Sequence, residues 1–515
     1  MNGSGHSGSP PDRAAVPGEP HRLSKSKFLA GLQCHRRLYL EVHDPALATP
    51  PDAAARARLN QGTDVGALAR ERFPGGALVE AGPKQRAEVL RRTAELVADP
   101  GVPAIFEGAF EFEQVLVRVD ILERAAAASH PTFRLIEVKS STRRKEVHVQ
   151  DVAVQVHVLR GAGVSLAACG LFLINTGYDY PGGPVDLDKL FAWEELTEAV
   201  QAALPAVAES LAAQRAMLQA SSPPAVEPDA HCHAPYECPF WAHCTKDKPP
   251  RWIFHLPGSN RTVNELMSRG ITTIDEIPPS TTLTTVQRRV RDNVEWIGKG
   301  LRHALEAVRH PVHHLDFETF MPAVPKYPRT RPYHTIPTQW SNQIESSDGV
   351  VREEAFLAAA PNDPREAFAA SLLASLGTAG TICIYSPYER AVIEALAEAL
   401  PHRRAELRAL LPRLWDLHAV LKAHYYHPAF AGSYSIKQVA PALVSGVDYR
   451  SLAIQEGGMA ACEYARMVFK VTDWVERERI KQALLDYCAR DTLAMVEIRK
   501  ALWKKCEGER TGRGD

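Results

Sequence analysis

Apolar and polar residues follow two different periods along this chain, and together these periods predict an α/β protein. The segments VLVRVDILER (115–124) and FRLIEVKSS (133–141) alternate at every second residue, which is typical of half-buried strands. A further strand is predicted at PVHHLDFETF (311–320), and ICIYSPYERAVIEALAEAL (382–400) predicts a buried strand that runs into a helix. Residues 188–218 follow the helical period instead.

The order of these elements indicates two α/β domains joined by a helical connector, in a chain whose 515 residues exceed one ordinary core. The predicted segments are a disordered tail rich in Gly, Ser, Pro and Ala (1–22), a first domain (23–248), the connector (249–310), a second domain (311–506) and a short tail (507–515). Within the connector, LPGSNRTVNELMSRGITTIDEIP predicts either a helix-hairpin-helix module that contacts phosphates or a rigid spacer.

The composition narrows the classes of function. The chain has 60 Lys and Arg against 61 Asp and Glu, which excludes a globally basic nucleic-acid binder, so any nucleic acid must contact local basic patches. No run of about eighteen apolar residues occurs, so no membrane span is expected. Nine cysteines without a secretory leader are typical of cytosolic thiols or metal ligands, and we therefore expect a cytoplasmic protein.

Two predicted strands of the first domain carry a set of residues suited to metal-dependent chemistry. Glu137 and Lys139 are two residues apart and share a strand face, and a neighbouring strand can bring Asp120 beside Glu137. Two carboxylates and the Val138 carbonyl suit Mg²⁺ or Mn²⁺, and the lysine ammonium can stabilise charge on an attacked phosphate. Gln155 is expected to open the following helix, where it would orient Lys139 or contact phosphate. The alternative is a pair of exposed strands with ordinary surface charges.

A cysteine-rich segment follows the first predicted domain core. Three thiols recur at intervals of six residues in CHAPYECPFWAHC: Cys232, Cys238 and Cys244. A closed site needs a fourth ligand, and Cys34 far upstream is the candidate. This spacing differs from the usual zinc knuckle and favours an iron–sulfur cluster, with free thiols as a further alternative. Zinc also remains an alternative, because three histidines lie close to these cysteines in the sequence: His231, His233 and His243.

The second domain carries another acidic set. Asp316 and Glu318 share one strand face, and Tyr487 and Asp491 are four residues apart on one helix face. Glu389 lies at the turn between a predicted strand and helix. Carboxylates that converge from these elements cannot all ionise without cations, and two divalent ions would resolve the repulsion and clamp a phosphodiester. The alternative is a strand end and a surface helix with unrelated polar residues.

The first domain resembles the RecB-like PD-(D/E)xK nucleases of the iron–sulfur type, similar to CRISPR-associated and helicase–nuclease members. The resemblance implies that Asp120, Glu137 and Lys139 are catalytic and that Gln155 belongs to the motif that follows. It also implies that one cysteine before the nuclease core and three after it hold a four-iron cluster: Cys34, Cys232, Cys238 and Cys244.

This sequence departs from that family at two positions. The early motif of that family has a His four residues after a Gly, whereas in this sequence the residue four positions after Gly62 is Gly66. The usual Tyr four residues after the glutamine is Leu159. An alternative function is therefore a nucleic-acid-binding scaffold in which one or both nuclease sites are inactive and the iron–sulfur or zinc site is structural.

The second domain resembles the DEDDy branch of the 3′–5′ exonucleases, whose fold is RNase H-like. The resemblance implies that four acids hold two metal ions and that Tyr487 orients the attacking water. The implied metal ligands are Asp316, Glu318, Glu389 and Asp491. The middle motif has Ser386 and Glu389 where that family has Asn and Asp, with Asp416 as the substitute ligand, and GSYSIKQVAP (432–441) is expected to track the strand.

The whole chain resembles bacterial proteins that fuse these two nuclease types. We therefore expect a metal-dependent nuclease with 3′–5′ exonuclease activity, with DNA favoured over RNA and a single strand or free 3′ end as the substrate. No phosphate-binding G-x4-GK[ST] loop occurs, so unwinding would need a separate helicase. DNA repair or defence is the expected setting, and a zinc-stapled adaptor without a nucleic-acid role is a third alternative.

Overall fold

A computed structural model describes residues 22–80, 85–125 and 131–511, with side chains up to Glu507. The predicted tail over 1–22 lies outside the described residues except for Arg22, and so does the end of the second tail from residue 512. The chain is an α/β protein with mixed sheets, as predicted, and has eighteen α-helices within those ranges. None of these helices is long and apolar enough to cross a lipid bilayer.

The chain forms two compact units, and each contains separate stretches of sequence. Unit 1 contains the chain up to Pro50 together with Asp64–Ile174 and Leu187–Thr245, and unit 2 contains Pro51–Thr63, Asn175–Asp186 and the chain from Lys246. The segment around Asp179 is held in unit 2 by an ion pair with Arg331, in which Nε lies 2.6 Å from Oδ1.

Unit 1 is built on a seven-stranded mixed sheet with the order β2-β3-β4-β5-β6-β7, in which β1 pairs with β4. Its strands are β1 (Leu23–Ser24), β2 (Ala77–Leu78), β3 (Ala104–Phe112), β4 (Val115–Arg124), β5 (Thr132–Val138), β6 (Ser165–Ile174) and β7 (Phe191–Glu195). The hairpin between β3 and β4 turns at Glu113 and Gln114, both with positive φ, as a tight hairpin requires. Burial alternates along β4, which confirms the strand predicted from the period of two.

The helices of unit 1 cover the sheet. They are α1 (Lys25–Gln33), α2 (His35–His43), α3 (Ala53–Arg70, which begins in unit 2), α4 (Arg86–Ala98), α5 (Glu146–Gly161), α6 (Leu187–Leu190), α7 (Thr197–Leu218) and α8 (Trp241–Thr245). Helix α5 is buried on nearly every side, because apolar residues such as Val152 and Val156 lie around its whole circumference. The helix predicted over 188–218 is wrong in its first part, since FAWEE pairs antiparallel with β6 as β7.

Unit 2 contains a five-stranded mixed sheet with the order β11-β10-β9-β12-β13 and a separate pair of strands, β8 and β14. Its strands are β8 (Trp296–Ile297), β9 (Val312–Phe320), β10 (Ile336–Glu345), β11 (Val351–Leu357), β12 (Thr381–Ile384), β13 (Leu414–Asp416) and β14 (Tyr425–Tyr426). Strand β9 is central, antiparallel to β10 and parallel to β12. The strand predicted at 311–320 is confirmed as β9, and the strand and helix predicted over 382–400 are confirmed as β12 and α13.

Besides the start of α3, unit 2 contains ten helices within the described residues. They are α9 (Asn260–Ser268), α10 (Thr285–Asp292), α11 (Leu301–Glu306), α12 (Arg365–Leu376), α13 (Tyr388–Ala399), α14 (Arg404–Leu410), α15 (Leu417–His424), α16 (Ile436–Leu443), α17 (Gly457–Phe469) and α18 (Trp474–Thr511). Helix α18 packs across β9 and β10 with Leu484, Met495 and Ile498 buried. It continues to Thr511, so the tail predicted from residue 507 begins as helix.

The predicted connector (249–310) belongs to unit 2. Its strand β8 pairs with β14, and the Arg289 guanidinium donates hydrogen bonds of 2.9 Å to the Lys422 carbonyl and the Tyr434 hydroxyl. Only the first helix of the predicted hairpin forms, as α9, and the second is a 3-10 turn over Ile274–Glu276. The connector is therefore an integral part of unit 2.

Candidate functional site

Strand β9 and helix α18 bring three acidic residues of unit 2 together. Asp316 and Glu318 lie on one face of β9, as their spacing of two predicts. Asp491 comes from α18, which packs on that face, and one carboxylate oxygen from each of the three lies within 4.8 Å of the others. Within the described ranges, no second group of His, Cys, Asp or Glu ligand atoms meets in this way. We call this group the three-carboxylate centre.

The protein surroundings of the three-carboxylate centre disfavour its ionised form. Burial raises the pKa of Asp316 well above its usual range, and the charges of Asp491 and Glu318 raise it further. Burial and the Asp491 charge raise the pKa of Glu318 to about 8. Burial raises the pKa of Asp491 to about 6, against the opposing effect of a hydrogen bond from Tyr449. Like charges this close require either protons or cations.

Two tyrosines surround Asp491. Tyr487 lies one helical turn before it and is buried, and a hydrogen bond from its hydroxyl opposes the rise in the Asp491 pKa. The Tyr449 hydroxyl donates a hydrogen bond of 2.5 Å to Oδ1 of Asp491. Helix α17 begins beside this pair, because a Cβ atom added to Gly457 would lie 3.8 Å from Oε2 of Glu318 and 4.0 Å from the Tyr487 hydroxyl.

Glu389 lies near the three-carboxylate centre but outside its closest group. It is in the first turn of α13, and its buried Oε2 has no hydrogen-bond partner among the described residues. Burial and the charges of Asp416 and Asp491 raise its pKa to about 8. Asp416, the substitute ligand, caps α15 by accepting a hydrogen bond of 3.0 Å from the Ala419 amide.

The donor set fits a hard divalent cation. Mg²⁺ and Mn²⁺ prefer oxygen ligands, and all three members of the centre offer carboxylate oxygens. The Oε2 atom of Glu389 is a buried acceptor with no hydrogen-bond donor among the described residues. A second ion near Glu389 would therefore satisfy an oxygen that the protein leaves unpaired.

The first predicted set also comes together, on adjacent strands of unit 1. Oδ2 of Asp120 accepts a hydrogen bond of 2.8 Å from the Val138 amide, which places Asp120 beside the end of β5. Burial, and the neighbouring charge of Glu137, raise the pKa of Asp120 to about 7. Glu137 is 2% exposed, so the alternative of exposed strands with ordinary surface charges is wrong for this residue.

Two lysines neutralise this set. Lys139 Nζ lies 2.7 Å from Oε1 of Glu137 and 2.6 Å from Oδ2 of Asp151. Lys25 Nζ lies 2.9 Å from the same Glu137 oxygen and 3.3 Å from Oδ1 of Asp151. These contacts hold the pKa of Glu137 below its usual range although burial opposes this. The sequence did not predict Lys25 or Asp151.

Gln155 does not have the position predicted for it. Helix α5 begins at Glu146, and Gln155 lies in its interior, fully buried. Its Nε2 donates hydrogen bonds of 2.8 Å to Oε2 of Glu137 and 3.2 Å to Oδ1 of Asp151. The prediction that it opens the helix is therefore wrong. Its amide contacts the two carboxylates that also bind Lys139, so a role in orienting that lysine or in contacting phosphate stays a prediction.

The four predicted cysteine ligands line one pocket of unit 1. Cys34 caps α2, and the other three come from a 3-10 turn, the loop after it and α8: Cys232, Cys238 and Cys244. The amide of Gln33 ties the two ends together, since its Nε2 donates hydrogen bonds of 2.7 Å to the carbonyls of His231 and Tyr236. The distant cysteine therefore joins the later three.

The two predicted cofactors differ in the thiol spacing that they accept. In a tetrahedral zinc site with Zn–S bonds of about 2.3 Å, the sulfurs lie about 3.8 Å apart. Among the described cysteines, no three sulfur atoms lie within 4.8 Å of one another. An iron–sulfur cluster places each thiolate on a separate iron and so accepts a wider spacing. His233 is engaged with Glu237 at 2.6 Å, and of the three histidines only His231 lines the pocket.

The comparison with known families covers part of unit 2. Residues 313–435 match a family described as a domain of unknown function (DUF2779). The matched segment includes Asp316, Glu318 and Glu389, whereas Tyr487 and Asp491 lie beyond it. Among curated proteins, none matches this chain.

Three residues of these sites were missed from the sequence. Asp151 lies one helical turn before Gln155 on α5, and this shared face was a usable signal. Lys25 is 112 residues from Glu137, and Tyr449 is 42 residues from Asp491. No local pattern connects such pairs, so only the packing of the units reveals them.

Proposed function

We propose that the three-carboxylate centre is the active site of a divalent-metal-dependent nuclease that removes nucleotides from a 3′ end. The convergence of Asp316, Glu318 and Asp491 within 4.8 Å carries this proposal. The resemblance to DEDDy exonucleases, with an RNase H-like fold for unit 2, agrees with a five-stranded mixed sheet that carries two of the acids on its central strand.

Each residue of the centre has a role in this proposal. Bound Mg²⁺ or Mn²⁺ supplies an activated water and stabilises the leaving oxygen. The three carboxylates bind the ions, and the unpaired oxygen of Glu389 completes the site. The Tyr487 hydroxyl, near Glu318 and Asp491, positions the water that attacks the phosphodiester. A single strand of DNA or a free 3′ end suits such a centre, and a separate helicase would supply it.

For unit 1, we propose a RecB-like PD-(D/E)xK fold whose cysteine pocket holds a four-iron cluster. Cys34, Cys232, Cys238 and Cys244 would be the ligands, in agreement with their convergence on one pocket. The cluster would join α1 and α2 to the end of the unit. Measured iron and sulfide content, with visible absorbance, tests this assignment, and stoichiometric zinc in a colourless protein contradicts it.

A second candidate function for unit 1 is a nucleic-acid-binding scaffold. The observation that favours it is the ion pairing of Glu137, whose carboxylate accepts from Lys25, Lys139 and Gln155. A metal ion would have to displace one of these donors. In the part of the chain that the structure describes, no lysine or arginine forms an ion pair with Asp316, Glu318 or Asp491, so we assign the hydrolytic activity to unit 2.

The experiment that tests the proposed function is a degradation assay on strands labelled at either end, with Mg²⁺ or Mn²⁺. We expect Asp316→Asn and Asp491→Asn to lower 3′ trimming by about 10³-fold, because each removes a metal ligand. Asp120→Asn should leave trimming unchanged. Asp486→Asn is the matched control, since Asp486 is exposed on the same helix as Asp491. Equal activity in all variants would indicate a contaminating nuclease.

A further inference from the structure

The side chain of Lys437 reaches the three-carboxylate centre from α16. Its Nζ lies 5.1 Å from the ring centroid of Tyr487 and 5.5 Å from that of Tyr449. The same Nζ donates a hydrogen bond of 2.5 Å to the carbonyl of Gln455. The ammonium is therefore fixed over the two tyrosines that surround Asp491.

This ammonium lies close to acids without pairing with one. Lys437 forms no ion pair with any described residue, although its charge opposes the rise in the pKa of both Glu318 and Asp491. An ammonium group has three N–H donors, and the Gln455 carbonyl takes one of them. Lys437 is only half-buried, so the remaining donors are available to a ligand.

The chemistry of that ligand follows from the charges around it. A phosphodiester that approaches three carboxylates is repelled unless cations lie between or beside them. Bound metal ions neutralise the carboxylates, and a fixed ammonium at the edge of the centre offers a further positive charge to the non-bridging oxygens. Such preorganised donors act most strongly where charge develops in the transition state.

We propose that Lys437 is a catalytic residue whose ammonium binds a non-bridging oxygen of the phosphodiester that is held at the three-carboxylate centre. This inference rests on the proposed nuclease function of unit 2 and extends it to a residue that the acidic motifs do not include. The competing explanation is a structural one, in which Lys437 only packs α16 against Tyr449 and Tyr487. The two explanations differ in whether the charge or the stem of the side chain matters.

Three variants separate charge from packing. Lys437→Met keeps a long apolar stem and removes the charge, and Lys437→Arg keeps the charge. Lys299→Met is the matched control, because Lys299 is an exposed lysine of the same unit with no ion pair among the described residues. Thermal unfolding of each variant shows whether it is folded. If Lys437→Met does not fold, Lys437→Gln, which also lacks the charge but has a polar end, takes its place in both assays.

The first readout is binding without cleavage. Anisotropy of a fluorescent single-stranded oligonucleotide with a free 3′ end is measured in Ca²⁺ at several salt concentrations. Each phosphate contact contributes about −0.7 to the slope of log K against log salt for single strands. We expect Lys437→Met to lose about 0.7 of that slope, and we expect Lys437→Arg and Lys299→Met to keep it. A slope that Lys437→Met retains, or that Lys437→Arg loses, overturns the proposal.

The second readout is the rate of 3′ trimming in Mg²⁺. We expect Lys437→Met to lower kcat by about 10²-fold with a smaller change in KM, because the contact strengthens as charge develops. If the wild-type protein trims and binds while Lys437→Met matches Lys299→Met in both assays, the role of Lys437 is refuted and the nuclease function stands. If the wild-type protein neither binds nor trims the strand, both proposals are refuted.

Discussion

The hydroxyl of Tyr449 donates a hydrogen bond of 2.5 Å to Oδ1 of Asp491, although 42 residues separate the two in the chain. Tyr449 follows α16 and is buried, and Asp491 lies on α18. A hydroxyl donor favours the ionised carboxylate, and it also fixes the direction in which the second oxygen points. In the proposed function, Tyr449 would therefore prepare Asp491 for a cation without being a ligand itself.

We predict that Tyr449→Phe weakens binding of Mn²⁺ by about tenfold or more, which is the usual effect of removing a group that orients a metal ligand. The benzene ring remains, so the packing around Asp491 is retained. Titration calorimetry on the folded variant measures the affinity. Tyr236→Phe, at an exposed tyrosine of unit 1, serves as the control. Unchanged affinity in Tyr449→Phe would show that the hydrogen bond has no such role.

A second prediction concerns the stability of the metal-free protein as pH changes. Burial raises the pKa of Glu318 and Glu389 to about 8 in the folded protein, against about 4.3 in the unfolded chain. Protonation therefore favours the folded state, and this contribution is complete below about pH 4 and is lost as pH rises through about 8. Within that window the free energy of unfolding should fall by up to about 1.4 kcal/mol per pH unit for each group.

Urea unfolding of unit 2 at about pH 5 and about pH 8 measures this loss. Mg²⁺ should restore stability more at the higher pH, because ionised carboxylates bind the ion and protonated ones do not. A stability that is independent of pH in the absence of metal would contradict the assignment of these raised pKa values.

A third prediction is that Asp316→Asn stabilises the metal-free protein while it abolishes activity. The substitution removes a carboxyl group whose ionisation is opposed by burial and by Asp491 and Glu318. At about pH 8 we expect the variant to unfold at a higher temperature than the wild type. Asp486→Asn, exposed on α18, should leave the unfolding temperature unchanged. A lower unfolding temperature for Asp316→Asn would show that the carboxylate of Asp316 does not destabilise the metal-free protein.

The fourth prediction concerns the ion pairs of unit 1. Lys25→Met removes one of two ammonium groups that neutralise Glu137 and Asp151, and breaking a buried pair costs about 3 kcal/mol. We expect chemical unfolding of unit 1 to shift accordingly. Lys27→Met on the same helix is the control. Added Mn²⁺ should recover part of the loss, since a cation can then occupy the place of the lysine ammonium.

A fifth prediction is that Cys34→Ser removes the visible colour of the protein and destabilises unit 1. Cys34 is the one proposed cluster ligand that precedes the sheet of unit 1 in the sequence, and its loss leaves three thiols around the pocket. Absorbance and iron content measure the effect. Cys462→Ser is the control, because Cys462 belongs to unit 2 and lies outside the pocket. Full iron content in Cys34→Ser would exclude it as a ligand.

The sequence predicted those parts of the fold and site that depend on short spacings. The alternation along β4 and β9, the two-residue spacing of Asp316 and Glu318, and the four-residue spacing of Tyr487 and Asp491 all follow from strand and helix geometry. Whether Glu389 binds a metal ion remains a prediction.

Other features depend on contacts that no local period encodes. Lys25 lies beside Glu137 because α1 and α5 pack together, and the helical period misassigned β7 because FAWEE gains strand hydrogen bonds from β6. The sequence did not locate Gln155 inside α5, because its burial depends on the packing that covers this helix on all sides. The features of the sheet and of the site that the sequence did not predict are therefore those that depend on tertiary packing.

The hydrogen bonds of Gln33 have a consequence for synthesis on the ribosome. Its amide contacts carbonyls 198 and 203 residues later in the chain. At a synthesis rate of about 5–20 residues per second, about 10–40 s pass between the synthesis of Gln33 and that of these two partners. During that interval Leu40, which packs against Cys232 and Phe240 in the finished protein, has no apolar cover from that segment. Molecular chaperones, and any machinery that inserts a cluster, would therefore encounter unit 1 before its last segment has been synthesised.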